Sequence, residues 1–419
     1  MLTGLRLMNF RCFEDHFIEL QQKTLLVGKN NAGKSTCVEA LRLVSLVSER
    51  LQSLSLRSPP EWTNLPLRAR GVEPSLKNID LHRSSLFHDY GDPPALVSAT
   101  FDSNSHLDIH IGPEFSIHAV VYDARNRTAN TRDKINGAAI PIVSILPQIG
   151  PLGENEERLS QEYVRTNLQT ARASLHFRNQ LHLYPEAFAA FKRNVEDSWP
   201  GLQLQPLQIP PLSQKGAPLG LIVRDGAFSA EVAWMGHGLQ MWLQTMWFLT
   251  RNRESSVLIL DEPDVYMHAD LQRRLVRMLL RDSRQFIIAT HSPEMLAEVE
   301  PESVVVLDRS KRASRAATSS KAVQELLRRV GSVHNISLAR LAIQRRILFV
   351  EGDDIGILKR FQNVVDRRTE RPIDTIPNTD IGGWSGWSAV LTLARFFREN
   401  APDEMRIFCV LDRDYHTDS

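Results

Sequence analysis

The sequence predicts an α/β fold: a parallel phosphate-binding sheet with an antiparallel β lobe and a helical insert, followed by a smaller second α/β domain. Three observations carry this reading. Residues 28–35 read GKNNAGKS, a complete Gly-x4-Gly-Lys-Ser phosphate loop. Residues 256–260 read SVLIL and run directly into Asp261 and Glu262. A second pair of apolar strands, ILFV at 347–350 and RIFCV at 406–410, also leads into carboxylates.

Residues 4–20 alternate apolar and polar (Leu5, Leu7, then Phe17, Ile18 and Leu20), which predicts a hairpin beside the phosphate-loop strand Thr24 to Val27. After the loop, Val38, Leu41, Val44 and Val47 recur at helical spacing, so strand, glycine loop and helix follow in the order phosphate binding needs. Residues 52–80, rich in Ser, Pro and Arg, have no clear period and predict an irregular excursion. Leu107, Ile109 and Ile111, then Phe115, Ile117, Ala119 and Val121 across Gly112-Pro113, predict a hairpin with one buried face. His106, Asp108 and His110 line its other face. A metal site is conceivable there, but with no further ligand nearby the residues read as a solvated polar surface.

IVSIL at 142–146 predicts another strand, ending at Pro147 and Gln148. From about 154 to 200 a helical lobe is expected, with Leu159, Tyr163 and Val164 on its first helix and Phe188 and Phe191 on a second. Its period does not persist as heptads, which excludes a long coiled coil. LGLIV at 219–223 and FSAEVAW at 228–234 flank an Asp225-Gly226 turn, and Gly236 and Gly238 then precede an apolar helix from Leu239 to Leu249. FIIATHS at 286–292 is a further buried strand ending in Thr290, His291 and Ser292.

The chain of 419 residues, 24 % charged with a net charge of +1, has material for two or three domains and no global basic excess. Any nucleic-acid surface must therefore be local. Cys12, Cys37 and Cys409 lie far apart without metal-ligand spacing, and MLTGLRLMNF lacks a charged leader followed by an apolar core. No stretch approaches the roughly 20 apolar residues of a membrane span. The expectation is a soluble, cytoplasmic chain with no membrane partner.

The phosphate loop makes ATP and Mg²⁺ the first ligands expected. Backbone N–H groups along Gly28, Asn30, Asn31 and Gly33 and at the helix start would face the phosphates, Lys34 would reach the terminal ones, and Ser35 would take one Mg²⁺ position. Asp261 would hold the Mg²⁺ hydration shell, and Glu262 would orient or deprotonate the attacking water. His291 stands where it can approach the γ-phosphate, although a histidine at a strand end is also an ordinary structural residue. Gly236 and Gly238 form either a second anion site or a plain glycine helix start.

NFRCF at 9–13, GKNNAGKST at 28–36, the glycine pair, LILDEPD at 258–264 and IIATHS at 287–292 resemble the ATP-binding-cassette ATPases of the RecF and structural-maintenance-of-chromosomes type, across residues 1–308. The resemblance implies an ABC-type P-loop ATPase head in which Thr36 completes the loop. It implies Gln148 as the Q-loop glutamine, against an ordinary turn after Pro147, Gly236 to Gly238 as the signature loop, and His291 as the switch histidine. It further implies a head-to-head homodimer with two ATP molecules between subunits, from which a higher oligomer can be built. The chain departs from the family at the signature serine, where Gly236 stands, followed by His237. That loss removes one hydrogen bond to the γ-phosphate.

Residues 309–346 read as a basic linker, with Arg309, Lys311, Arg312, Arg315, Lys321, Arg328, Arg329, Arg340, Arg345 and Arg346 against the single acid Glu325. This is either a phosphate-backbone contact or a solvated helix face. Beyond it, ILFVEGDD at 347–354 and RIFCVLDRD at 406–414 place Glu351, Asp412 and Asp414 at the ends of two strands. Converging carboxylates are costly unless a divalent metal, Mg²⁺ or Mn²⁺, neutralises them.

Strand-Glu-Gly followed about sixty residues later by strand-Asp-x-Asp resembles the Toprim domain, a Rossmann-like parallel sheet. ATPase head followed by Toprim resembles the OLD (overcoming lysogenisation defect) family, including its Gabija-type members in antiviral defence. The resemblance implies that Glu351, Asp412 and Asp414 bind metals that activate water for DNA phosphodiester cleavage, with Asp353 or Asp354 assisting. The family's helper acid stands four residues after the glutamate, where this chain has Ile355, so Asp354 is either that helper or a helix N-cap. Five residues follow Asp414, and 347–419 therefore reads as a partial Toprim domain. The expected function is an ATP-hydrolysing, DNA-directed protein of the OLD type whose nucleotide state controls a metal-dependent endonuclease half, in antiviral defence or DNA repair. The alternative is an ATPase scaffold or sensor that binds nucleic acid or a partner effector protein without cutting.

Overall fold

Hydrophobic alternation builds two sheets around one helix. Strands β1 (Leu2–Phe10) and β2 (Phe13–Glu19) form the hairpin, and β3 (Lys23–Val27) leads into α1 (Lys34–Arg50). Next come β4 (Ala95–Phe101), β5 (His106–Ile111), β6 (Ile117–Tyr122), α2 (Arg132–Gly137) and β7 (Val143–Leu146). The helical lobe holds α3 (Gln161–Asn167), α4 (Phe177–Leu183) and α5 (Pro185–Ser198), followed by β8 (Leu202–Leu204), β9 (Ile222–Asp225), β10 (Phe228–Glu231) and α6 (His237–Arg251). β11 (Val257–Asp261), α7 (Ala269–Arg281), β12 (Gln285–Ala289), α8 (Pro293–Ala297), β13 (Val304–Val306) and β14 (Ala313–Ser314) follow. The last elements are β15 (Arg346–Val350), α9 (Ile355–Val365), β16 (Asn378–Asp380), α10 (Trp387–Asn400) and β17 (Arg406–Val410). This computed structural model describes all residues except 29–30, 77–84, 169, 212, 215, 318–344, 353, 366–372, 374–375, 382–386, 401–404 and 412–419.

One sheet is parallel, in the order β13-β3-β12-β11-β7, and the other is largely antiparallel, in the order β14-β2-β1-β4-β5-β6. α1 lies in the core that both sheets share, which explains why most of its residues are buried, with Val38, Leu41, Val44 and Val47 each at most 1 % exposed. Gln285 ties the two layers, accepting from Leu2 N at 2.7 Å and donating to Leu2 O at 2.6 Å and Gln21 O at 2.9 Å. Such a satisfied buried amide fixes the register between sheets where apolar packing alone would let them slide.

Three details differ from the sequence reading. β6 is buried on both faces, and the 57–72 excursion pairs along its outer edge, with Val72 bridging Ala119. The His106–Asp108–His110 face is not freely solvated either: Ser98 donates to Asp108 at 2.5 Å, and burial lowers the His110 pKa. Among the described residues no acidic, His or Cys group is arranged to hold a metal ion. In the lobe, Leu159 and Tyr163 are exposed, while Phe177, Phe191, Trp242 and Trp247 form the core. That lobe also buries Arg178 between Glu156 at 3.1 Å and Glu231 at 2.6 Å.

The chain divides into two units, Met1–His291 with Ser303–Ala317, and Ser292–Glu302 with Thr318–Ser419. The first runs past the 308 boundary because β14 adds to the edge of β2, secured by His16 against Lys311 O at 2.7 Å and Ser314 Oγ at 3.0 Å. Lys321, Arg328, Arg329 and Arg340 of the basic segment lie outside the described residues. In the second unit β16, β15 and β17 form a parallel sheet with β15 central. No helix among the described residues is long and apolar enough to cross a membrane.

Candidate active site at the phosphate loop

The loop is shaped by two glycines that nothing else could replace. A Cβ on Gly33 would lie 2.3 Å from Phe13 Cζ, and its φ of +99° is left-handed; a Cβ on Gly28 would lie 2.9 Å from Ala32 Cβ. Asn31 also takes a positive φ of 70°, whereas Lys29 and Asn30 lie outside the described residues. α1 starts at Lys34, so its first amide groups open toward the loop. Ser35 is exposed at this end, and the buried Thr36 accepts from Cys12 Sγ at 3.4 Å.

Parallel pairing of β11 with β12, Asp261 opposite Ala289, brings the ends of those strands to the same edge as the loop. Lys34 Nζ donates to Glu262 Oε1 at 2.9 Å, and Gln148 Nε2 donates to Glu262 Oε2 at 3.0 Å. His291 Nε2 lies 3.9 Å from Glu262 Oε1. Three expected residues from three separate segments therefore meet on the carboxylate of a fourth. Glu262 itself holds a φ of 47° with its N–H bound to Ala289 O at 2.8 Å, backbone strain of the kind kept at functional sites.

Burial pushes the Asp261 carboxyl up to about 6, against the pull of Arg42 at 3.7 Å; Glu262 raises it further, while Lys34 and the Gln148 N–H lower it. Burial also lowers the His291 pKa, with Lys34 adding to the effect, so the ring is biased toward its neutral form. Thr290 donates to Asp264 at 2.6 Å and fastens the turn after Glu262 to the end of β12.

Gly236 and Gly238 sit at the start of α6, and no described contact joins them to the Lys34–Glu262 cluster. Gly236 has φ −55° and open space around it, so neither conformation nor packing demands glycine there. Gly238 approaches Tyr266 O, which a Cβ would meet at 3.3 Å, and His237 packs edge-on to Tyr266 at 5.5 Å. Sequence reading missed the brace behind this loop: Gln240 accepts from Leu152 N at 2.7 Å and donates to Met235 O at 2.7 Å, and Gln244 donates to Gly150 O at 3.0 Å. Two glutamines four apart in an apolar helix were the available signal. Arg42 was missed too, although it lies eight residues after Lys34 on the same helix face.

In the second unit Glu351 follows β15 and Gly352 takes a φ of 58°. Asp354 accepts from Ile357 N at 2.9 Å and Leu358 N at 3.0 Å through its backbone carbonyl, the position that opens α9. Asp412 and Asp414 lie outside the described residues. Asp380, at the end of β16 beside β15, was not foreseen; its Oδ1 accepts from Gly352 N at 2.9 Å.

The family model described as "AAA domain, putative AbiEii toxin, Type IV TA system" matches residues 47–297, and a second, described as "AAA domain", matches residues 4–53. The chain belongs to the first of these AAA-domain families. This AAA-domain protein is similar to the OLD nuclease of Thermus scotoductus, at 23 % identity over 447 residues covering 94 % of the chain and 80 % of the relative. It is an OLD-like member with an ATPase head. Similar solved structures include the Smc head domain with an extended coiled coil bound to the C-terminal domain of ScpA, derived from Pyrococcus furiosus, at 15 % identity over 79 % of this chain and 99 % of that one, TM-score 0.47. The SMC head domain from Thermotoga maritima is similar at 14 % identity over 75 % of this chain and 97 % of that one, TM-score 0.42.

Proposed function

We propose that this protein hydrolyses ATP at the Lys34–Glu262 site and that the nucleotide state of its head controls a metal-dependent, DNA-directed nuclease half. The observation that carries the first part is the convergence of Lys34, Gln148 and His291 on Glu262. Gly28, Asn30, Asn31, Gly33 and the α1 amides hold the triphosphate, with Thr36 at the far end of the loop. Ser35 and Asp261 would hold Mg²⁺, which when bound would neutralise phosphate charge. A desolvated carboxyl raised to about 6 suits a divalent cation, because the cation removes the cost of its burial.

On binding, Lys34 exchanges Glu262 for the terminal phosphates. Glu262, released from Lys34 and still oriented by Gln148, then takes a hydrogen bond from the attacking water and its proton as the water oxygen bonds the γ-phosphorus and the bond from that phosphorus to the β–γ bridging oxygen breaks, giving ADP and inorganic phosphate. His291, biased neutral, donates from one ring nitrogen to the γ-phosphate. Gly236 to Gly238 present backbone amides to nucleotide on a second copy of the chain, giving a homodimer through the heads.

For the nuclease half, Glu351 with Asp412 and Asp414 are the proposed metal-binding residues for Mg²⁺ or Mn²⁺, with Asp354 assisting. Support comes from the parallel pairing of β15 with β17, which puts residues 351 and 411 at one sheet edge, and from the nuclease relative. The role proposed for this activity is antiviral defence, as the resemblance to the OLD family implies. Lys34→Ala and Glu262→Gln are each expected to abolish ATP turnover; turnover retained in both purified variants refutes the head assignment. Mg²⁺- or Mn²⁺-dependent nicking of plasmid DNA should disappear in Asp412→Ala, and equal nicking by that variant refutes the second.

A further inference from the structure

Both ends of the phosphate loop touch one short stretch of chain or rest on residues that hold it. At the first end Leu307 N donates to Val27 O at 2.8 Å, and a Cβ on Gly28 would meet Leu307 O at 3.1 Å. At the second end the buried Phe13 ring closes off the side-chain position of Gly33. Phe13 also stacks on His16, with ring centroids 4.4 Å apart and planes 24° from parallel.

His16 is 1 % exposed and directs both ring nitrogens at the stretch that follows Leu307, with Nδ1 2.7 Å from Lys311 O and Nε2 3.0 Å from Ser314 Oγ. A carbonyl only accepts, so Nδ1 carries the proton; burial lowers the pKa of the ring and favours its neutral form, whose Nε2 then accepts from the Ser314 hydroxyl. Elsewhere Phe17 N donates to Arg312 O at 2.9 Å and Ala317 N donates to Val304 O at 2.9 Å. β14 is only two residues long, and Arg309, Ser310, Lys311, Arg312 and Arg315 are exposed, so this segment has the marks of one that opens locally. Beyond Ala317 the chain enters the second unit.

We propose that residues 307–317 are a nucleotide-sensing strap, with His16 and Phe13 as the positioning residues that couple it to the phosphate loop. This rests on the nucleotide reading above and gives its control of the second half a physical route. A nucleotide that fixes Gly28 and Gly33 also holds Leu307 and, through Phe13, the His16 ring, so the strap closes where the chain leaves the head. Coupling is reciprocal: the factor by which nucleotide suppresses opening of the strap is the factor by which a closed strap strengthens nucleotide binding.

The test follows amide hydrogen exchange across residues 311–317 of the full chain, and binding of the β,γ-imido analogue of ATP, in wild type, His16→Leu and Ser314→Ala. In wild type the saturating analogue should slow this exchange about fivefold, and His16→Leu should bind the analogue about fivefold more weakly and lose the slowing. Ser314→Ala keeps the ring and removes one bond, so it should show both changes in smaller measure and reports where His16→Leu does not fold. A His16 that only props the sheet edge would speed exchange in the variants yet leave the response to the analogue unchanged, which overturns the coupling. Exchange in wild type that the bound analogue does not alter overturns it too. Failure of the wild type to bind the analogue, or unaltered binding by Lys34→Ala, would instead overturn the nucleotide reading itself.

Discussion

Replacing Asp261 with asparagine should make the metal-free protein more stable at neutral pH while abolishing its ATPase activity. Burial raises the Asp261 carboxyl from 3.8 to about 6, so between those values the folded state binds more protons than the unfolded one. Stability from this group is full below pH 3.8 and is lost as pH rises through about 6. At 1.36 kcal/mol per pKa unit the ionised carboxylate costs the fold about 3 kcal/mol, a net figure that already includes the attraction to Arg42 and Lys34 that asparagine forgoes. In EDTA at pH 8, thermal unfolding of Asp261→Asn should therefore lie roughly 4 °C above wild type. At pH 4.5 the difference should shrink to about 1 kcal/mol, because folded Asp261 is then mostly protonated while the unfolded carboxyl is still largely ionised. A variant that melts at or below wild type at pH 8, or that gains equally at both pH values, would refute the claim that Asp261 is a desolvated carboxylate awaiting a cation.

Other expectations follow from single contacts. Gln148→Leu removes the hydrogen bond that orients Glu262 at 3.0 Å and should lower kcat about tenfold with little change in KM. Gly33→Ala, with φ +99° and a Cβ 2.3 Å from Phe13, should lose ATP binding and lower the melting temperature, and a Phe13→Leu second change should not rescue it because the φ remains; intact binding in the single variant would contradict the loop geometry. Gly236→Ala has open space and φ −55°, so it should melt like wild type, and a fall in turnover without a fall in stability would mark the signature loop as a contact to a second subunit. Arg178→Met leaves the buried Glu156 without its cation and should cost about 3–5 kcal/mol in urea unfolding; a loss below about 1 kcal/mol would mean that the ion cluster is dispensable.

The core of the head was legible because its signals are local. A strand, a glycine loop and a helix occupy residues 23–50 without a break, and the acidic strand end needs only five apolar residues before Asp261. What periodicity did not reveal was long-range closure. β4 alternates cleanly but was not singled out, and β6, buried on both faces, is paired at its outer edge by a segment with no period of its own. The boundary after the head was misplaced for a similar reason: β14 is two residues long, and its membership of the sheet depends on His16, nearly three hundred positions earlier.

At the site the same distinction separates what a motif specifies from what packing adds. Lys34, Asp261 and Glu262 belong to patterns whose spacing reflects their chemistry, so they could be named from the sequence. Arg42, Thr290 with Asp264, and the Gln240–Gln244 pair act on those residues through space, and no spacing rule connects them. Their arrangement has a consequence for gating. Gln148 touches Glu262 with its side chain, while the chain just beyond it, at Gly150 and Leu152, is gripped by α6, the helix that carries Gly236 and Gly238 at its start. When Lys34 releases Glu262 for phosphate, Gln148 becomes the remaining protein donor on that carboxylate, and any shift it makes acts on a short segment anchored to α6. The turn from Gly236 to Gly238 would then respond through the position of its backbone. Substituting Gln240 with leucine cuts that connection without touching the nucleotide, so basal ATP affinity should hold while the dependence of turnover on protein concentration, the mark of a composite site, is lost.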